Sequence, residues 1–425
     1  MLISRPEQNQ CMAPNSDTED HDDESRRSFL KLAGGVAGAS TVGGLAGCLG
    51  GGGGDGDGNN QTDQTNTDSD GDTQTDDGGS SVSELSYWAV GTTNPEDWSS
   101  FKDESGINVN YSAAAWSPGE TVTKLVQGTA SQDFDLAGND TTLTSVLQEQ
   151  GAIKPTNLQE LPNWERVYDE VKNSGPTEVD GEQHSLSSVQ NGDSVAYLTD
   201  EVGDPGSVNS YGILFDEEFQ GKTSMEAGWA TAFHKVALYL KRNNMAEIED
   251  LENPSESDVD AVISFLLEQK NNGQFRTFWS GWQTAVNLLS KKEVVAMDTW
   301  EPVVFALRDQ GMNAEYLEPK EGYSLWAIGP WMTNKGAKNR DAAEDLVNWM
   351  MGGWYNAQIT TIRGYLSSSD LGIEYAEDSE DFDAEFIEQR HEEVRSRFSD
   401  DISVFGERYP DTFSYMNSQW NRLTS

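Results

Sequence analysis

Aromatic rings set beside carboxylates are the one arrangement in this chain whose chemistry can be named from residue types and spacing. There are thirteen tryptophans, and Trp88, Trp98, Trp116, Trp229, Trp279, Trp282 and Trp300 fall at the ends of expected strands or in loops. Trp300 stands between Asp298 and Glu301, just past the apolar run "EVVAM" at 293–297. An indole face next to carboxylates holds an organic cation with a cation–π attraction of roughly 0.5–2 kcal/mol per desolvated ring, and charge-assisted hydrogen bonds add to it. Each of these residues also has a structural use. Large aromatics dominate burial in any core, and acids at 298 and 301 suit the positive end of a helix that begins at Pro302.

Other chemistries leave no pattern. The four histidines, at 21, 184, 234 and 391, have no paired ligand spacing and no cysteine to assist them, so neither a transition-metal site nor a cofactor is expected. Gly221-Lys222-Thr223 imitates the end of a phosphate-binding loop, but Asp216 stands where the motif needs its first glycine. There is no G-x-S-x-G elbow and no zincin helix. With 73 Asp plus Glu, carboxylate pairs occur everywhere and single out nothing. No catalytic residues are assigned, and the chain is not expected to be an enzyme.

The elements that must position the rings are short apolar runs alternating with amphipathic helices. "ELSYWAV" (84–90), "GINVNY" (106–111), "SVAYLT" (194–199) and "EVVAM" (293–297) read as strands, and "DFDLAGN" as a strand running into a helix capped by Asp140. "TVTKLVQGTA", residues 230–241, the stretch from Ser257 with Val259, Val262, Ile263, Leu266 and Leu267, "DAAEDLVNWMMGG" and the charged region from Asp378 read as helices. Strand ends that lead into helices are where open α/β sheets place ligands. The stretch after residue 83 exceeds one comfortable core, which predicts two lobes.

The N-terminal part reads as targeting and tether. "SRRSFLK", with Arg26 and Arg27, resembles a twin-arginine export signal, and "LAGC" at 45–48 resembles a lipobox that would leave Cys48 to carry a lipid. The Gly-rich segment between them is too weakly apolar for a comfortable membrane span. From 48 to 83 the chain is almost free of apolar side chains; it cannot offset its ordering entropy and is expected to be a flexible tether with a reach of roughly 30–35 Å. Cys11 precedes the arginines, so no disulfide is expected in the mature chain.

The net charge is -45, which makes nucleic acid a poor partner, since phosphate binding depends on cations. So acidic a chain that retains 35% apolar residues suits a saline environment, where the Debye length shrinks to about 3 Å at molar salt and carboxylate repulsion is muted. Sequons stand at Asn60, Asn110 and Asn139.

The segments "ESGINVNY", "LQEQGAIKP", "YGILFDEEFQGKTSM", "FRTFWSGWQTAVNLLSKKEVVAMDTW", "LEPKEGYSLWAIGPWMTNKGAKNRDAAEDLVNWMM" and "IRGYLSSS" follow one another in an order that resembles the extracellular solute-binding proteins of ABC importers, in their spermidine/putrescine-binding branch, from about Leu85 to Ser369. The resemblance implies an α/β, two-lobe type II periplasmic-binding-protein-like fold with hinge strands between the lobes. The expected division of the chain is an extension and signal at 1–47, a lipid-anchored linker at 48–83, the first lobe at 84–194, the second at 195–299, a return to the first at 300–340 and C-terminal helices at 341–425. The resemblance also implies a monomer on the outer face of the cell membrane, partnered by a small solute and by a permease and ATPase. For the ligand it implies an aromatic box with acidic ends for a polyamine, to which Trp88, Trp279 and Trp300 would contribute rings and Asp298 and Glu301 carboxylates. Trp116, Asn139, Asp140 and Trp229 complete the expected ligand set. "EAGWATAF" after Met225, and Asn139-Asp140-Thr141-Thr142 in the first lobe, depart from the branch's acid-rich pattern. Another small solute, such as an amino acid or organic anion, a secreted enzyme on the same scaffold, and a surface adhesion protein are the competing expectations.

Overall fold

A computed structural model describes residues 82–398, 402–406 and 412–425. The expectations for Arg26, Arg27, Cys48, Asn60 and most of the tether lie outside the described residues.

Fourteen strands are present among the described residues. In chain order they are β1 (Glu84–Val90), β2 (Asn108–Ala114), β3 (Leu136–Asp140), β4 (Ile153–Lys154), β5 (Glu178–Val179), β6 (Glu182–Gln183) and β7 (Val189–Leu198), then β8 (Thr223–Glu226), β9 (Phe275–Trp279), β10 (Ala296–Thr299), β11 (Ala314–Tyr316), β12 (Ser324–Thr333), β13 (Leu366–Ser367) and β14 (Val404–Phe405). All but the β5–β6 hairpin join one twelve-stranded sheet, eight of them in the order β2-β1-β3-β12-β7-β10-β8-β9, with β11 and β13 paired to β7 and β4 and β14 to β12 off that path.

β7 divides that sheet. Its residues Val189–Asp193 pair with Ile328–Ser324 of β12. From Ser194 onward the same strand pairs with β10 and β11 instead. One half of the sheet is therefore built on β2, β1, β3 and β12, the other on β10, β8 and β9, and the passage falls between Asp193 and Ser194. The chain returns through the connector from Leu317 to Tyr323 into β12. A third passage is made near the C-terminus. Helix Ala384–Phe398 adds Val394 to the apolar cluster of the first half, β14 pairs beside Ser324 and Leu325, and helix Phe413–Thr424 places Met416, Trp420 and Leu423 in a cluster of the second half.

Each half is layered, with helices on both faces of its sheet. Along β1, Leu85, Tyr87 and Ala89 enter one apolar cluster and Trp88 the other, as the two-residue period of a strand requires. In the second half, helices Trp229–Arg242 and Glu256–Asn271 cover one face and helices Trp282–Ser290 and Pro302–Asp309 the opposite one. Helix Glu256–Asn271 starts from a capping box between Ser255 and Asp258 and buries Val259, Val262, Ile263 and Leu266, the face that its spacing predicts. Gly329 lets β12 pass close to a loop of the first half: a Cβ there would fall 1.6 Å from the Leu186 carbonyl oxygen.

Several boundaries differ from the sequence expectation. The strand expected at 194–199 begins at Val189, and the one expected at 293–297 is Ala296–Thr299. The second half also extends past residue 299. Val303, Val304 and Leu307 pack against Ala196 and Met297, and β11 pairs with β7, so the return to the first half comes at Ser324 and not at 300. The C-terminal region is helical, as expected, but is interrupted by β14.

Candidate ligand site at the crossing of the two halves

Where β7 passes from one half to the other, its polar side chains meet groups from both. Trp326 of β12 donates from Nε1 to Asp193 Oδ1 at 2.8 Å. The Trp326 ring stands edge-on to Tyr365 (centroids 4.9 Å apart) and to Trp116 (6.3 Å). Trp116 is half-buried in the loop after β2, and Asn139 fixes that loop. The Asn139 Nδ2 donates to the Ala115 carbonyl at 3.3 Å and to Thr121 Oγ1 at 2.8 Å. Asn139 is thus a buried positioning residue, and its amide is occupied within the fold. Asp140, next along β3, turns the chain by accepting from Thr142 N at 3.1 Å and Oγ1 at 2.6 Å.

Three buried carboxylates at the crossing face three buried cations of the same chain. Asp298 of β10 forms an ion pair with Lys235 from helix Trp229–Arg242, and its Oδ2 accepts from the Glu226 amide at 3.2 Å. Asp193 acts on the same ammonium. Burial pushes the Asp193 carboxyl above its ordinary value, with Lys235 and Trp326 opposing. Lys235 is held above its ordinary value in spite of burial, by Asp298 and Asp193. Glu301 accepts from Arg397 Nη1 and Nη2 at 2.8 and 2.9 Å, from Arg390 Nη2 at 2.7 Å and from Asn191 Nδ2 at 3.0 Å. Burial would raise the Glu301 carboxyl, but the guanidiniums of Arg397 and Arg390 outweigh it and hold the pKa at about 2. The Arg397 guanidinium also lies 5.0 Å from the Tyr323 ring centroid and 5.6 Å from that of Tyr316. A cavity of about 590 Å³ opens beside it, with Tyr197, Glu315, Tyr316, Tyr323 and Glu393 also in its lining.

The structure sorts the residues expected to bind ligand. Trp116 and Trp300 are half-buried at strand ends. Trp279 is sealed, donating from Nε1 to the Asp298 carbonyl at 2.8 Å and meeting Trp300 edge-on at 5.1 Å. Trp88 is buried in an apolar cluster of the first half. It lies in mid-strand, stacked on Phe134 at 6.0 Å and covered by Lys124 Nζ at 5.4 Å, because the strand period turns it away from the crossing. Trp229 begins its helix buried against Phe413 at 5.6 Å. Asp298 and Glu301 stand at the crossing, but as buried partners of internal cations and not as open acids. Sequence reasoning missed Asn191, Asp193, Lys235, Trp326, Tyr365, Arg390 and Arg397. For Trp326 a signal existed, an indole within "YSLWAIGPW" on a strand; for the cations there was none.

A ring-lined crossing of two α/β halves is the architecture of a hinged binding protein, and the comparisons agree. The chain belongs to the bacterial extracellular solute-binding protein family, whose model matches residues 99–379. Members bind a small solute for an ABC importer; binding, not catalysis, is the family's work. Among solved structures, the spermidine/putrescine substrate-binding protein PotD of Streptococcus pneumoniae superposes with a TM-score of 0.63 at 15% identity, covering 81% of this chain and 100% of that one. The PotD lipoprotein of Treponema pallidum gives 0.61 at 14% (80% and 99% covered). The binding protein MotA of A. tumefaciens B6, in complex with glucopine, gives 0.61 at 15% (80% and 100% covered). Identities this low establish the shared fold.

Among the described residues no helix is long and apolar enough to cross a membrane, and no group of three or more His, Cys, Asp or Glu could hold a metal ion.

Proposed function

We propose that this protein is a lipid-anchored receptor on the outer face of the membrane. It is exported by the twin-arginine route, captures a small organic solute between its two halves and delivers it to a permease and its ATPase. The passage of β7 from one half to the other between Asp193 and Ser194 carries this reading, because it makes a hinge at the place where the rings converge. The expected anchor is Cys48, with the 48–83 segment as tether. A micromolar solute supplies about 8 kcal/mol, enough to bias an open–closed equilibrium of a few kcal/mol.

The solute is held by ring faces and hydrogen-bonding groups and carries no net positive charge. Asp298 and Glu301, the carboxylates expected to grip a polyamine, are already paired inside the fold, the first with Lys235 and the second with Arg390 and Arg397. MotA, of the same fold, is complexed with glucopine, so this architecture also serves solutes outside the polyamines. Small-angle scattering in saline buffer against a panel of amino acids, organic anions, neutral solutes and polyamines tests the proposal. Compaction with one of them is expected; no compaction with any overturns the receptor reading.

A further inference from the structure

We propose that Lys235 is a built-in counter-ion that determines solute charge: its ammonium, paired with Asp298, fills the place that the ammonium of an organic amine would otherwise take. The inference rests on the receptor reading above and names the residue that makes the receptor refuse cations.

The arrangement has every part of an amine subsite except a vacancy for the amine. Asp298 and Asp193 are both buried, one in the second half of the sheet and one at the passage between halves. The Trp326 indole is bonded to Asp193 through Nε1 and meets the half-buried Trp116 in a T-shaped contact, so two indoles in contact run from the loop after β2 to Asp193. Lys235 comes from the second turn of helix Trp229–Arg242 and is itself 1% exposed. It forms the ion pair with Asp298 and donates to Thr231 Oγ1 at 3.4 Å. Two carboxylates so buried need a positive charge, since an unpaired buried ion carries a desolvation cost of several kcal/mol. The chain supplies that charge itself. A second ammonium brought to the same place would meet Lys235 as a like charge and would have to break its pair with Asp298. With Lys235 shortened to alanine, the two carboxylates remain and the lost atoms correspond to propylammonium.

The test uses the folded receptor in saline buffer and measures calorimetric affinity for propylammonium, putrescine and spermidine. Wild type is expected to bind none of them at micromolar concentration, whereas Lys235→Ala is expected to bind propylammonium or putrescine at least about tenfold more tightly than wild type does, equivalent to 1.4 kcal/mol. The gain should disappear in Lys235→Ala/Asp298→Asn. A micromolar polyamine complex of wild type, or a folded Lys235→Ala with no gain, overturns the proposal. Where Lys235→Ala does not fold unaided, refolding is compared in propylammonium and in tetramethylammonium at equal ionic strength. Recovery with the primary amine alone supports the proposal; recovery with neither, or equally with both, overturns it. The receptor reading fails in a different way, when no solute of any charge compacts the wild-type protein.

Discussion

Arg397 grips Glu301 with both arms of its guanidinium, Nη1 to Oε2 at 2.8 Å and Nη2 to Oε1 at 2.9 Å. The pair ties helix Ala384–Phe398, packed on the first half, to the start of helix Pro302–Asp309 in the second. Replacing Glu301 by glutamine removes the buried anion shared by Arg390 and Arg397 and leaves them only the more exposed Glu393. Loss of one partner of a buried pair costs about 3–5 kcal/mol, and this loss is expected for Glu301→Gln in denaturant unfolding. Glu301→Gln/Arg397→Met should recover part of it, because one of the stranded charges is gone. An unchanged unfolding midpoint in Glu301→Gln would show that the pair carries no net stability.

His391 gives a separate pH signature. Burial chiefly, with help from the charges of Arg395 and Arg390, holds its imidazole down at about 3. The neutral ring meets Tyr168 at 2.9 Å, Thr360 at 3.0 Å and Ser367 at 3.1 Å. A depressed folded value means that the unfolded chain binds the extra proton. The stability His391 contributes is complete above the unfolded pKa of about 6.5 and falls away as pH drops toward about 3. Glu301, depressed from 4.5 to about 2, adds the same sign of dependence below about 4.5. In the window from 4.5 to 6.5 the histidine still contributes this slope after that of Glu301 has ended, while the raised carboxyl of Asp193 works in the opposite sense. There, unfolding free energy should fall by up to about 1.4 kcal/mol per pH unit from this one group, and His391→Gln should lose that part of the slope. An identical slope in the variant would place the proton uptake elsewhere.

Trp300 and Trp279 touch each other but should answer differently to truncation. Trp300 is half-buried at a strand end, and Trp300→Ala is expected to weaken solute binding by about 1–3 kcal/mol while the circular-dichroism melt stays near wild type. Trp279 is 1% exposed and hydrogen-bonded to the Asp298 backbone, so Trp279→Ala should cost about 3–5 kcal/mol of fold stability. A Trp300→Ala protein with wild-type affinity removes that ring from the site.

Gly329→Ala tests how closely β12 is packed. The added methyl would sit 1.6 Å from the Leu186 carbonyl oxygen and 2.6 Å from Ser185 Oγ, against backbone that cannot rotate away. The variant is expected to accumulate poorly and to melt well below wild type, whereas Gly91→Ala, with nothing within 4 Å of the new methyl, should melt within a few degrees of it. Equal melts would show that the Leu186 loop yields.

Elements that keep some exposed or half-exposed positions were legible. β1 spans the stretch its alternation predicts, and helices Trp229–Arg242 and Glu256–Asn271 lie within a residue of their expected starts. β7 and β12 were not, in the one case by half its length and in the other altogether. All ten residues of each are buried, so the alternation that marks a strand disappears, and the polar "QNGDS" stretch of β7 mimics a loop. The aromatic part of the site was partly legible for the same reason. Trp116 and Trp300 follow strand ends, whereas Trp326 sits inside a strand whose pattern had been erased.

The order of segments and the residue types along the chain determined by themselves the fold class, the family and the neighbourhood of Asp298, Trp300 and Glu301, because helix period, strand ends and motif order are local. Whether those acids stand open or occupied was decided by tertiary structure alone. Lys235 reaches Asp298 from a helix and Arg397 reaches Glu301 from near the C-terminus, and nothing in a carboxylate's own sequence surroundings records which distant cation the fold will press against it.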